Sequence, residues 1–417
     1  MTTQGAIPAT VTGGSAPVDA VDPDLRAAFD ALDRANVGWL VLRGSVDGGR
    51  GDVDLLVDPS ARALVGPALT AAGFVHRRAP EHRPHRLFVR RSSAGWLVLD
   101  VLHEVEPVGA RSHPFPIAAE LIERSSRDVL EVPRPSTEDA AWLALLRAGR
   151  PGALSVDMSS IPSTLEGPVP GLLDDLVGSS TASHLLAAVS GADPASASRA
   201  LAPITSVLRP RPRPLPRFIR RVRDALAWRS EGRNGLAVAV LGPDGAGKST
   251  LIAGLCESLP FAVSVHYLGV FRTSERERLL RRIPGVALAG KLATLRIRSL
   301  SGALGTRRGR IVLYDRHVVD ALLRPGKHTF RSRVSYGLLA RACPPPDLFV
   351  VLDAPGEVMF ARKGEHTVGI LEERRQRYLD LRQRYDQLEV VDATASESDV
   401  RRIVETLIWQ HYAGESL

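Results

Sequence analysis

Cysteine is almost absent: Cys256 and Cys343 are the only two in 417 residues, too few for a disulfide framework and not spaced as a CxxC pair. That excludes a stapled secreted fold and a structural zinc site. No apolar run approaches the roughly 18 to 20 residues of a membrane-spanning helix. The first residues also lack the basic and apolar regions of a secretion signal, so no membrane span is expected and the location expected is cytoplasmic. Aromatic residues make up only 5%, and just four of the 54 basic residues are lysine: Lys248, Lys291, Lys327 and Lys363. What is plentiful is arginine, glycine (36) and proline (30), within a composition of 44% hydrophobic and 24% charged residues that is globular in character. The length is about three times that of a common single domain, so two or three domains are expected.

The net charge of +8 is unevenly placed, at −2 over residues 1–150, −4 over 151–200, +7 over 201–235 and +7 over 236–417. Residues 272–341 alone carry seventeen Arg or Lys against four Asp or Glu, a surface suited to phosphate groups or an Arg-rich solvated helical face. The scarcity of aromatic residues among these charges argues against nucleic acid as a partner.

Residues 1–20 carry almost no large apolar side chains and read as a disordered tail. Order is expected from a helix over Asp24–Asn36, where Leu25, Phe29 and Leu32 recur at helical spacing, followed by strands at Trp39–Leu42 and Asp52–Val57. A helix over Pro59–Ala72, ended by Gly73, and strands at Leu87–Arg90 and Trp96–His103 complete an α/β unit over 21–148. Residues 149–208 read as helical to irregular, with no legible function. Arg209-Pro-Arg-Pro-Arg-Pro-Leu-Pro216 lacks the amide donors a helix needs, so 209–235 is a semi-rigid linker. Its basic amphipathic end, Phe218–Trp228, either touches anionic lipid or leads into the next domain.

The clearest chemistry follows. Leu236–Leu241 is an apolar run of the kind a buried parallel strand has, and it leads into Gly242-Pro-Asp-Gly-Ala-Gly-Lys-Ser-Thr250 and an apolar helical stretch, Leu251–Leu259. Gly242–Ser249 satisfies G-x-x-x-x-G-K-[ST], the Walker A pattern, in its required strand-turn-helix context. Gly242, Gly245 and Gly247 let backbone amides point at phosphate, with Asp244, Ala246 and Thr250 completing the nucleotide-binding segment. Lys248 would reach the β- and γ-phosphates of ATP, and the Ser249 hydroxyl would ligate Mg2+. The alternative is a Gly-rich turn with an exposed lysine. A further strand, Arg310–Tyr314, ends in Asp315-Arg316-His317, which places a carboxylate and a guanidinium at the carboxyl edge of the sheet, where open α/β folds bind ligands. With strands at Val263–Tyr267, Pro346–Asp353 and Leu388–Val391, five strands and intervening helices make a doubly wound parallel sheet over 236–417. Arg362, Lys363, Glu365, Arg374 and Arg375 lie in a polar helical segment suited to folding over a polyphosphate.

Taken together, the acid-containing P-loop, the strand-terminal Asp-Arg-His, the strand Pro-Asp-Leu-Phe-Val-Val-Leu-Asp, the Arg-Lys-x-Glu lid and the Val-Val-Asp-Ala-Thr ending resemble the thymidylate kinase-like family of nucleoside-monophosphate kinases. The resemblance implies that Asp315 helps organise magnesium and acceptor, that Arg316 clamps the acceptor phosphate, that Asp244 faces the acceptor, and that Arg362 neutralises the migrating phosphoryl group. Two departures fall where the acceptor would bind. Leu-Gly-Val-Phe-Arg272 and a long basic insertion to Arg310 replace the family's Arg-Glu-Pro element, and His317 replaces an aromatic residue. The acceptor is thereby left open among nucleotides, sugar phosphates and lipid-linked phosphates.

In the N-terminal part, Asp52 and Asp54 lie two apart on an expected strand, so both carboxylates share one face. Gly44 and Ser45 precede them, and Asp100 lies in Trp96-Leu-Val-Leu-Asp-Val-Leu-His103. The pattern resembles the polymerase β-like nucleotidyltransferase superfamily over residues 24 to about 148, with a helical extension. The resemblance implies that Gly44 and Ser45 contact triphosphate and that Asp52, Asp54 and Asp100 bind metal ions. His103 is either a core histidine or a neighbour of those metals. The expected activity is an ATP- and Mg2+-dependent phosphotransferase acting on a small-molecule phosphate acceptor and fused to this domain. The competing reading is a nucleotide-binding regulatory switch. The oligomeric state is not set by the sequence, a homodimer being one option.

Overall fold

The computed structural model describes residues 20–48, 51–82, 84–105, 116–148, 231–270, 286–323 and 330–414, with isolated positions between 167 and 183. The expected tail up to residue 19, nearly all of 149–208, the linker up to residue 230 and the head of the basic insertion lie outside the described residues. By packing, the chain divides into two compact units, Met1–Ala72 with His103–Arg209, and Gly73–Leu102 with Pro210–Leu417.

Up to residue 148 the elements run, in chain order, α1 (Pro23–Arg34), β1 (Trp39–Arg43), β2 (Asp52–Val57), α2 (Arg62–Ala71), β3 (Val75–Arg77), β4 (Arg86–Arg91), β5 (Trp96–Leu102), α3 (Ala118–Glu123), β6 (Ser126–Arg127), β7 (Pro133–Arg134) and α4 (Thr137–Ala148). In the first unit, Asp22 caps α1 by accepting from the amides of Asp24 and Leu25, and Pro23 sits where no amide bond is needed. The helix buries Leu25, Phe29 and Leu32 as expected, with Phe29 stacked on Trp39 at 4.6 Å. Strands β1 and β2 pair antiparallel, Trp39 opposite Val57 and Arg43 opposite Asp54, with the register shifting between Val41 and Arg43. Gly44, at φ +104°, takes the chain so close to β2 that a Cβ there would lie 2.5 Å from the Asp52 carbonyl oxygen.

From residue 236 the second unit contains β8 (Ala237–Leu241), α5 (Lys248–Ser258), β9 (Val263–Tyr267), α6 (Val286–Arg307), β10 (Ile311–Asp315), α7 (Phe330–Ala340), β11 (Leu348–Asp353), α8 (Gly356–Lys363), α9 (Val368–Leu379), β12 (Leu388–Asp392) and α10 (Glu397–Ala413). All five expected strands are present. Their order is β12-β11-β8-β10-β9 with every neighbouring pair parallel, a doubly wound sheet with β8 at its centre. Alternate β8 residues feed two cores: Val238 and Val240 join Leu255, Val404 and Ile408, while Ala239 and Leu241 join Leu295, Phe349 and Tyr378. Burial on both faces is why β8, β10 and β11 read as continuous apolar runs.

Strands β3, β4 and β5 form an antiparallel set in the same unit. Leu87, Val89 and Val98 belong to the core shared by α5 and α10, and Trp96 meets Phe261 and Trp409 edge-on at 5.7 and 5.9 Å. One charged contact crosses this packing: Glu405 of α10, 6% exposed, pairs with Arg91 of β4 at 3.2 Å and accepts a hydrogen bond from Ser258 Oγ at the end of α5. Truncating one partner of a buried pair strands the other charge, so Glu405→Ala is expected to lower unfolding free energy by about 3 kcal/mol. Urea denaturation of the two proteins checks this, and a loss below about 1 kcal/mol would mean that Arg91 finds water or another partner.

Candidate functional site

Because β10 lies on one side of β8 and β11 on the other, the strand order reverses at β8, and loops leaving its carboxyl end diverge to leave a crevice. A cavity of about 710 Å³ lies there. Among its lining residues are Asp244 through Thr250 of the loop, Asp315 and Arg316 of β10's end, Arg362 and Lys363 of α8, and Arg401 of α10. The structure thus brings together Asp244, Gly245, Ala246, Gly247, Lys248, Ser249, Thr250, Asp315, Arg316 and Arg362, and Gly242 stands behind them as a carbonyl partner of Lys248.

The loop's shape depends on its glycines. Gly242, Gly245 and Gly247 have φ of +141°, +88° and +93°, a region that L side chains rarely adopt. A Cβ on Gly245 would sit 2.4 Å from the Met359 carbonyl oxygen, so this glycine also permits the close approach of α8, which carries Arg362 to the cavity. Gly247 caps α5, and a Cβ there would meet no atom within 4 Å. The start of α5, with its unpaired amides and positive dipole end, therefore opens on the cavity.

Lys248 is only 8% exposed and donates to the carbonyls of Gly242 (2.9 Å) and Pro243 (2.6 Å). Burial, reinforced by Arg316 and opposed by Asp244, Asp320 and Asp315, lowers its pKa to about 8. Ser249 is exposed and Asp315 half-buried. A hydroxyl and a carboxylate lining one cavity are hard oxygen donors of the kind Mg2+ takes, so the residues fit the ion.

Arg316 adopts φ +65°, and its amide donates to the Val240 carbonyl oxygen of β8 at 3.2 Å. Its guanidinium is shared. Nη2 donates to Asp244 Oδ1 at 2.5 Å, while Nη1 donates to the Tyr378 hydroxyl at 3.4 Å and lies 3.7 Å from Asp320 Oδ2. Burial works against the Arg316 charge, but Tyr378, Asp320 and Asp244 raise its pKa above the usual arginine value. Asp244 also accepts from Arg374 Nη1 at 3.2 Å and faces His366 Nε2 at 3.7 Å. Burial disfavours its charge as well, yet Arg316, Lys248, Lys363 and Arg374 hold its carboxyl below the usual range. Arg362 donates to the Ala393 carbonyl oxygen at 2.9 Å. Arg375, expected near the polyphosphate, instead grips Asp353 with two hydrogen bonds at 2.5 and 3.0 Å and reaches Glu372 at 2.8 Å.

Three further placements differ from expectation or were not anticipated. His317, expected beside the acceptor, is 1% exposed and packs edge-on against Phe349 at 5.3 Å, because its side chain turns into the core while Arg316 turns out. Burial drops its pKa to about 4, which leaves it neutral at pH 7. Asp320 and Tyr378 carry no motif, yet they stand against Arg316. The available signal was spacing alone, Asp320 being four residues after Arg316 on a 3₁₀ segment, Val318–Leu323.

None of the expected N-terminal metal ligands lines this cavity. Asp52 and Asp54 belong to the first unit, and Asp100 to the second. Asp52 is exposed, and Asp54 is 3% exposed and bonded to Arg43 Nε. Asp100 Oδ2 lies 2.9 Å from His85 Nδ1, and Ser45 Oγ donates to Asp47 at 2.5 Å. His103 is half-buried.

No family model and no curated protein matches the chain. Among solved structures, a thymidylate kinase of Candida albicans, described for its broad substrate specificity and a novel structural element, matches over 44% of this chain and 94% of its own, at 18% identity and a TM-score of 0.35. A likeness at that level leaves function to the site itself. No helix among the described residues is long and apolar enough to cross a membrane.

The depressed pKa of Lys248 makes a testable statement. Above about pH 8 the ammonium of the ligand-free protein gives up its proton, whereas a bound polyphosphate favours the charged form. Affinity for a non-hydrolysable ATP analogue is expected to fall as pH rises through this value, with proton uptake on binding. Calorimetry in buffers of different ionisation enthalpy reads both, and pH-independent affinity with no proton uptake would remove Lys248 from the phosphate contacts.

Proposed function

We propose that the chain is an ATP- and Mg2+-dependent phosphotransferase whose acceptor is itself a phosphate, a nucleoside monophosphate or a related small phosphate. The observation that carries the reading is that one cavity is lined by two sets of cationic and amide groups from different elements. On one side is a glycine loop with buried Lys248 at the start of α5, and on the other is Arg316 at the end of β10, with Arg362 and Lys363 from α8. A nucleotide switch needs only the first set. A transferase needs both, since phosphoryl transfer depends on alignment and charge neutralisation more than on covalent participation by the protein.

In this reading the loop amides and Lys248 hold the β- and γ-phosphates, while Arg316 orients the acceptor phosphate in line with the γ-phosphorus. An acceptor oxygen forms the new P–O bond as the bond from the γ-phosphorus to the β–γ bridging oxygen breaks, and ADP leaves with that electron pair. A phosphate monoester with a second pKa near 6 is already dianionic at neutral pH, so no general base is required. Arg362 and Lys363 offset the charge that spreads over the transferred group. Ser249 and Asp315 would hold Mg2+, which when bound supplies charge neutralisation across the donor phosphates.

The test is ADP release by the full chain against nucleoside monophosphates, sugar phosphates and lipid-linked phosphates. One class should raise turnover well above background, and Arg316→Ala should remove about 10²-fold or more of that acceptor-dependent rate while slow hydrolysis persists. A flat panel with tight ATP binding would instead favour the regulatory switch. Lys248→Ala is expected to abolish thermal stabilisation by MgATP, and full stabilisation in that variant would overturn the nucleotide site.

For the N-terminal part the proposal is a separate divalent-cation role for Asp52 and Asp54, supported by their shared face of β2. Every residue lining the cavity belongs to the second unit. Asp52→Asn combined with Asp54→Asn is therefore expected to leave MgATP stabilisation unchanged. A joint loss in a folded variant would contradict independence.

A further inference from the structure

A carboxylate removed from water is costly unless its charge is answered, and Asp320 is 1% exposed. Its Oδ1 accepts from the Tyr378 hydroxyl at 3.1 Å, and its Oδ2 faces Arg316 Nη1 at 3.7 Å. Tyr378, itself 5% exposed, in turn accepts from Arg316 Nη1 at 3.4 Å. Neither Asp320 nor Tyr378 lines the cavity, whereas Arg316 does. The guanidinium therefore has two attachments of different kinds: a buried one through Nη1 to Asp320 and Tyr378, and one at the cavity through Nη2 to Asp244. Its backbone, at φ +65°, is held where a non-glycine residue gains nothing locally.

We propose that Asp320 and Tyr378 are positioning residues that fix the Arg316 guanidinium from behind, so that it can exchange Asp244 for a phosphate without losing its direction; this rests on the acceptor-phosphate reading given above. Asp244 then acts as an internal counter-anion, carried on the nucleotide loop, that occupies Arg316 and Arg374 until a phosphate takes its place. Without the buried attachment, Arg316 would have Asp244 as its main anchor and would follow that carboxylate. With it, one end of the guanidinium stays fixed while the other changes partner. Tyr378 sits near the end of α9, the helix that also carries Arg374, so the position of α9 and the filling of the acceptor subsite are tied through the same cation.

The experiment uses the full chain saturated with magnesium and a non-hydrolysable ATP analogue, so that the loop subsites are filled, and titrates inorganic phosphate by calorimetry. Arg316→Gln and Asp320→Asn are each expected to weaken phosphate binding about tenfold, and Tyr378→Phe about threefold. In Asp320→Asn and Tyr378→Phe, affinity for the ATP analogue should stay within about twofold, a split that general loosening of the fold would not produce. The decisive variant combines the first two: if Asp320 works through Arg316, adding Asp320→Asn to Arg316→Gln costs nothing further. An undiminished loss in that background, or phosphate affinity within about twofold of the parent in Asp320→Asn alone, overturns the proposal. If Asp320→Asn does not fold, Tyr378→Phe, which deletes one hydroxyl, carries the same pair of tests. Absence of phosphate binding by the unaltered chain overturns the acceptor reading itself, and that result is in hand before any variant is made.

Discussion

Lys248 carries a charge at 8% exposure, and the carboxyl edge of the parallel sheet is arranged around that one buried ammonium. Two loop carbonyls accept its protons, and they are within reach because the glycines of Gly242–Gly247 take backbone angles that other residues resist. The loop can in turn lie where it does because β8 is the centre of the sheet and its neighbours diverge to opposite sides. Lys248 is thus held at the floor of the crevice before any ligand arrives. The cost of its burial appears as a pKa lowered to about 8, a cost that an incoming anion relieves.

Around that ammonium the arginines are sorted by the carboxylates that hold them. Arg375 is committed to Asp353 and Glu372 and braces α9 against the end of β11. Arg316 is divided between buried Asp320 and cavity-lining Asp244, while Arg374 reaches Asp244 alone among the bonds described for it. Arg362 is steadied by a backbone carbonyl, and no carboxylate among the described residues is paired with it. This division separates cations committed to carboxylates from cations that line the cavity with charge to spare.

The same unit draws its stability from strands that lie far from the loop in sequence. Strands β3 to β5 supply Leu87, Val89, Val98 and Trp96 to the core beneath α5 and α10, and Glu405 joins β4, α5 and α10 through Arg91 and Ser258. The helix that opens on the cavity is thereby anchored at its far end. A rigid support matters for a loop whose amides must hold a fixed geometry.

Much was legible from local pattern. Continuous apolar runs marked the three inner strands β8, β10 and β11, because strands covered on both faces have no polar side to alternate with. The glycine loop, Lys248 and Ser249 were readable because backbone conformation and spacing alone define such a turn, and Asp315 and Arg316 because a strand's last residues must emerge at the sheet edge. Helix α6 lay hidden in a basic insertion whose hydrophobic pattern is weak, and short β3 was not anticipated. What the chain's order cannot convey is which way a side chain turns once strands are packed: His317 goes inward to Phe349 while its neighbour Arg316 goes outward, and Asp320 and Tyr378, 58 residues apart, meet behind it. Those partnerships depend on distances across the sheet and on how much water remains, quantities that exist only after folding. Sequence by itself therefore determined the sheet and the glycine loop at its carboxyl edge, and tertiary structure decided which charges are anchored and which line the cavity.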